Sequence, residues 1–149
     1  MSGVASGVTR LQVDPNRLFV TGHSVGGTLT VLASELYPNF RAAASISGTP
    51  DVATYLKYAG RAPYNAPFDP ADAHEALIHS PLAWAESLKC PIRMYYSTDE
   101  DYFAIATPAM AAIAKAKGID ADALTVKGDH GSIGEASIAL ALAFFQRFQ

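Results

Sequence analysis

Near the front of the chain, residues 18–27 read LFVTGHSVGG, and no other stretch restricts the fold as strongly. A short apolar run suited to a buried strand meets a glycine turn with a serine at its apex. VGGTLTVLASEL (25–36) follows with helix length and stops before Tyr37-Pro38, where proline ends helices. Gly22-His23-Ser24-Val25-Gly26 fits G-x-S-x-G, in which the serine occupies a strained strand-to-helix turn. Small residues two before and two after it avoid clashes there, and Gly27 adds a further one. Such a turn lifts the Ser24 hydroxyl into a cleft at the carboxyl end of the strand. It also places the serine at a helix N-terminus, where the Val25 N–H can stabilise a developing oxyanion. The plain alternative is a serine that only caps its helix.

The rest of the chain alternates in the same manner. FRAAASISG (40–48) reads as a second buried strand, although alanine is a poor strand former. Residues 49–80 are rich in Pro, Tyr and Asp and form a long excursion with short helices, of the kind that serves as a lid or substrate-facing loop. PLAWAESL is a short helix, CPIRMYYS (90–97) a third strand, and ATPAMAAIAKAKG (106–118) a helix ended by glycine. ADALTVKG holds a fourth strand, and a last helix runs from Ser132 or Ile133 to Phe148. Strands alternating with helices predict one α/β domain over 1–149, a three-layer sandwich around a mostly parallel sheet.

A serine needs a histidine to take its proton and an acid to orient that histidine. His23 is the variable position of the motif, better suited to packing or lining the site than to acting as base. His74 and His79 lie in the excursion and read as surface residues. His130, in KGDHGS, falls after the fourth strand and before the last helix, at the end of a parallel sheet where ligands are met. The acid is expected after the third strand, where STDEDYF offers Asp99, Glu100 and Asp101. Trp84 and Phe103 read as core, Tyr95 and Tyr96 as strand packing, and Cys90 as a small buried hydrophobe.

The totals exclude several classes. A net charge of −3 and scattered cations argue against nucleic acid as a partner. The one cysteine precludes an internal disulfide framework. No Cys/His spacing suggests zinc and no phosphate-binding glycine loop is present, so neither metal nor cofactor is expected. SIALALAFFQRF is too short to span a membrane, and the N-terminus has no apolar signal core. A cytoplasmic protein is the expectation.

VDPNRLFVTGHSVGG, SPLAWAESLKCPIRMYYSTDEDYF and KGDHGSI, in this order, resemble the C-terminal half of an α/β-hydrolase. The likeness runs from about Val13 to Phe148 and is greatest to the prolyl-oligopeptidase-like branch of dipeptidyl and acylaminoacyl peptidases and related esterases. It implies a serine hydrolase that cleaves a carboxylic ester or a peptide bond through Ser24, an acid and His130. Relatives commonly carry H-G-x-x-D, whose Asp is the acid, after the third of these strands, where this sequence has YYSTDED. Reading TDED in place of G-x-x-D puts the acid at Asp101, and a shifted register puts it at Glu100 or Asp99. The resemblance also implies about eight strands, of which this sequence supplies four, from the elbow strand onward. The loop that donates a second oxyanion N–H then lies among the others. An exposed Leu18–Thr21 edge would follow, covered by self-association, by a separately supplied N-terminal half or by residues 1–12. A catalytically weak assembly module is the alternative function.

Overall fold

A computed structural model describes residues 14–58, 68–69 and 71–149. Four strands, β1 (Leu18–His23), β2 (Phe40–Ile46), β3 (Ile92–Ser97) and β4 (Ala121–Val126), form one sheet in the order β1-β2-β3-β4. Every neighbouring pair is parallel, with Thr21 opposite Ala44, Ser45 opposite Met94 and Tyr95 opposite Leu124. The sheet is therefore parallel throughout, in keeping with the expected α/β sandwich. Because all strands point the same way, the segments that follow their carboxyl ends gather at one rim.

The helices are α1 (Val25–Leu36), α2 (Val52–Tyr58), α3 (Ala73–Ile78), α4 (Asp101–Ala116) and α5 (Ile133–Phe145), with 3₁₀ turns over Pro81–Ser87 and Gln146–Phe148. Strand alternation assigns residues to two cores. Ala43, Ile92, Met94 and Ala121 pack with Val31 of α1 and Met110 and Ala114 of α4. Ala42, Ala44, Ile46 and Tyr95 pack on the other face with Ile133, Phe144 and Phe145 of α5, where Phe19 and Phe145 stack 4.9 Å apart. The alanines of β2 are fully buried on both faces. Their small side chains let helices approach from either side, so packing decides for the strand against propensity.

Two features differ from the sequence expectation. α4 begins at Asp101 rather than Ala106 and carries Pro108 inside it. An interior proline costs roughly 3 kcal/mol, and the extra turn offsets it by burying Tyr102 and Phe103, 6% and 3% exposed. The helix ends as expected, at Gly118 with φ +82°. Trp84, read as core, is 43% exposed and donates to the Leu77 carbonyl. Residues 59–67 and 70 of the excursion lie outside the described residues, but its two helices are present.

On β3, buried Arg93 lies 4.3 Å above the Phe144 ring and pairs with Asp120 (2.8 Å) and Asp122 (3.4 Å). This locks β3, β4 and α5 together at the far rim. No helix among the described residues is long and apolar enough to cross a membrane.

Candidate active site

β1 leads directly into α1 through Ser24, whose backbone sits at φ 59°, ψ −121°. Left-handed backbone in a serine is strained and persists only where its surroundings enforce it. Here the Ser24 N–H is held by the Ile46 carbonyl at 2.8 Å, and the Ser24 carbonyl accepts the first helical bond from Thr28. The turn is close because glycines permit it. A Cβ on Gly22 would lie 2.4 Å from the Gly26 carbonyl oxygen, and one on Gly27 would lie 2.6 Å from the Ile46 oxygen. Gly26 would meet nothing within 4 Å. The steric demand thus falls on Gly22 and Gly27, a correction to the reading that made Gly26 the second tight position.

The rim brings Ser24 to His130. The Ser24 Oγ lies 2.9 Å from His130 Nε2, and His130 Nδ1 lies 2.8 Å from Glu100 Oε1. A carboxylate only accepts, so Nδ1 carries the proton and Nε2 is free to accept from the hydroxyl. The acid against His130 is Glu100, not Asp101. Asp101 is the first residue of α4 and faces solvent, while Glu100 precedes the helix in non-helical backbone (φ −121°, ψ 83°), with its side chain turned to His130. Asp99 is exposed and accepts from the Thr98 hydroxyl.

Groups without a motif hold these three in place. His23 Nε2 lies 2.7 Å from the His130 carbonyl oxygen, so it carries a proton and donates. The sequence reading of His23 as a residue that lines the site agrees with this. Ser97 donates to the Gly128 carbonyl and accepts the Asp99 N–H at 2.9 Å, tying the acid turn to the histidine loop. Asp129 accepts from Ser132 and Gly131, and these bonds, those of Ser132 foremost, hold its carboxyl below the usual range. Ser47, at the end of β2, donates to Glu100 Oε2 at 3.1 Å.

The first N–H groups of α1 have no intrahelical partner, and that of Val25 borders the Ser24 hydroxyl. On the other side, the Phe103 ring lies 6.5 Å from His130, and Tyr55 of α2 leans on Tyr102 (5.4 Å) and Phe103 (6.3 Å). The Tyr102 hydroxyl donates to the Asp51 carbonyl and accepts the Asp51 N–H at 3.2 Å, fastening the excursion to α4. Burial, foremost, pushes the Tyr102 phenol far up. His79 stacks on Phe68 at 4.0 Å and His74 is exposed; neither joins Ser24. Among the described residues no cluster of His, Cys, Asp and Glu has metal-binding geometry.

Residues 1–148 match the prolyl oligopeptidase family. The chain belongs to that family. Solved structures agree in fold. Acylaminoacyl peptidase from Pyrococcus horikoshii superposes with a TM-score of 0.80 at 22% identity, over 98% of this chain and 26% of that one. A puromycin-hydrolyzing peptidase from Mycobacterium tuberculosis gives 0.69 at 23%, over 97% and 24%. Carboxyl esterase 2 from the fungus Tuber melanosporum gives 0.69 at 16%, over 99% and 57%. The chain spans about a quarter of the length of these two peptidases. No curated protein sequence matches it significantly. Family membership and the parallel sheet with its flanking helices agree with the α/β-hydrolase fold expected from the sequence.

Proposed function

We propose that the chain carries the acyl-transfer centre of a serine hydrolase acting on carboxylic ester or peptide bonds. One observation carries the reading: Ser24, His130 and Glu100 stand in a single hydrogen-bonded line, with contacts of 2.9 and 2.8 Å. Ser24 Oγ attacks the substrate carbonyl while His130 Nε2 takes its proton. Glu100 holds the Nδ1–H tautomer and stabilises the imidazolium that forms. The Val25 N–H donates to the oxyanion, and His130 returns the proton to the leaving alkoxide or amine. Water then attacks the acyl-enzyme by the same route in reverse.

The excursion fits a substrate-facing role, since its Tyr55 packs on Phe103, whose ring neighbours His130. The partner reading rests on β1, which bonds only to β2 among the described residues, and on the exposed Val25, Leu29 and Leu36 along α1. In this reading, a second copy of the chain or an added polypeptide pairs with the Leu18–Thr21 edge. Light scattering on the purified chain tests it; a monodisperse monomer speaks against self-association.

The catalytic reading is tested by hydrolysis of p-nitrophenyl esters and aminoacyl p-nitroanilides by the parent and Ser24→Ala. Turnover lost in Ser24→Ala with the fold retained supports the centre. Equal rates in the two proteins contradict it, and the ratio between the substrates decides ester against amide.

A further inference from the structure

Ser47 combines three properties that no motif accounts for. It is 1% exposed, its backbone has φ +43°, and its hydroxyl lies 3.1 Å from Glu100 Oε2. Its N–H is already held by the Tyr95 carbonyl at 2.8 Å, so the hydroxyl is not needed to satisfy its own backbone. A left-handed residue is most easily glycine. The adjoining close contacts do use glycine, since a Cβ on Gly48 would lie 2.4 Å from the Gly27 carbonyl carbon. A serine at the left-handed position gives up that ease, and what it has over glycine is a hydroxyl. Strained backbone retained beside a reactive centre is a pointer to function.

The acid is a glutamate, with one more rotatable bond than aspartate. His130 binds only Oε1, at 2.8 Å, so a second anchor on Oε2 is required to stop the carboxylate swinging about that contact. We infer that Ser47 is a positioning residue that fixes the Glu100 carboxylate, and through it the orientation and tautomer of His130. The inference deepens the serine-hydrolase reading and rests on it. Ser47 touches no reacting atom, so its contribution lies in the turnover step and not in substrate capture.

Two substitutions separate the hydroxyl from the backbone. Ser47→Ala removes the hydroxyl and keeps the left-handed strain. Ser47→Gly removes the hydroxyl and relieves it. A hydrogen bond to a charged group is worth about ten- to a hundredfold. Both variants are therefore expected to lose kcat on a p-nitrophenyl ester by about that factor, with KM within about twofold of the parent. Ser47→Gly is expected to melt at or above the parent temperature and Ser47→Ala below it. Loss of kcat in both, with melting temperatures split in that order, supports the positioning role. If Ser47→Gly turns over at the parent rate, or if kcat follows melting temperature across the pair, the role is overturned and Ser47 serves the backbone alone. A parent that shows no Ser24-dependent turnover overturns the parent reading instead, so the two failures are distinguishable.

Discussion

Replacing Glu100 with glutamine tests the assignment of the acid most sharply, because the amide keeps the shape of the carboxylate and loses its charge and one acceptor. Glu100 lies between a donor on each side, the His130 Nδ1–H at 2.8 Å and the Ser47 hydroxyl at 3.1 Å. Glutamine offers one oxygen and one NH₂. With the Ser47 hydroxyl still donating, as it does to Glu100, the amide oxygen takes the Oε2 place, which puts the NH₂ against Nδ1. His130 must then accept at Nδ1 and carry its proton on Nε2, facing Ser24, where no proton can be received. The equivalent loss of the correct tautomer in serine proteases costs on the order of 10⁴ in kcat, about 5.5 kcal/mol of barrier. Glu100→Gln is thus expected to lose kcat by ~10³–10⁴ with the fold intact, read as ester hydrolysis at saturating substrate. Asp101→Asn, at the exposed start of α4, is expected to stay within about twofold, as surface changes do. The reverse pattern would make Asp101 the acid and not Glu100.

Other sites give independent checks. Burial holds the Glu35 carboxyl up at about 8 against an ordinary 4.5, with Lys89 opposing. The unfolded chain ionises first, so the stability this group contributes is whole below about pH 4.5 and is lost as pH rises through about 8. Urea unfolding should show stability declining by roughly 1.4 kcal/mol per pH unit across that interval, and Glu35→Gln should flatten the decline; an unchanged slope contradicts the placement. Gly22→Ala, whose Cβ would lie 2.4 Å from a carbonyl oxygen, is expected to cost about 1–3 kcal/mol and to abolish turnover. Gly26→Ala, open within 4 Å and inside α1, is expected to raise stability by about 0.5–1 kcal/mol. Equal effects of the two in thermal melts would contradict the elbow geometry. Tyr102→Phe removes the hydroxyl that fastens Asp51 and should cost about 1–3 kcal/mol by urea unfolding; no change would mean the excursion is held elsewhere.

The parts of the site legible in the sequence are those fixed by local geometry. G-x-S-x-G between an apolar strand and a helix forces the elbow, and His130 follows because every strand of a parallel sheet ends at one rim. Matching the spacing to the family pattern puts the acid at Asp101, whereas helical phase puts it at Glu100. Tyr102, Phe103, Ala106, Thr107 and Met110 are buried, while Asp101, Ala104 and Ile105 are exposed. That period, readable from DYFAIATPAM, turns Asp101 to solvent and leaves Glu100 to face inward from the turn before the helix. Ser47 and His23 carry no such signal. Their partners are 53 and 107 residues away, and only the sheet register brings them together. Gly26 and Gly27 are alike in sequence, and only the approach of the Ile46 carbonyl tells them apart.

Labelling with a fluorophosphonate probe, mapped by mass spectrometry, tests the central claim most directly. One phosphonyl group per chain is expected on Ser24, absent in Ser24→Ala and slowed by at least a hundredfold in Glu100→Gln. Folded parent protein that takes up no probe, or takes it up at another residue, would contradict the claim.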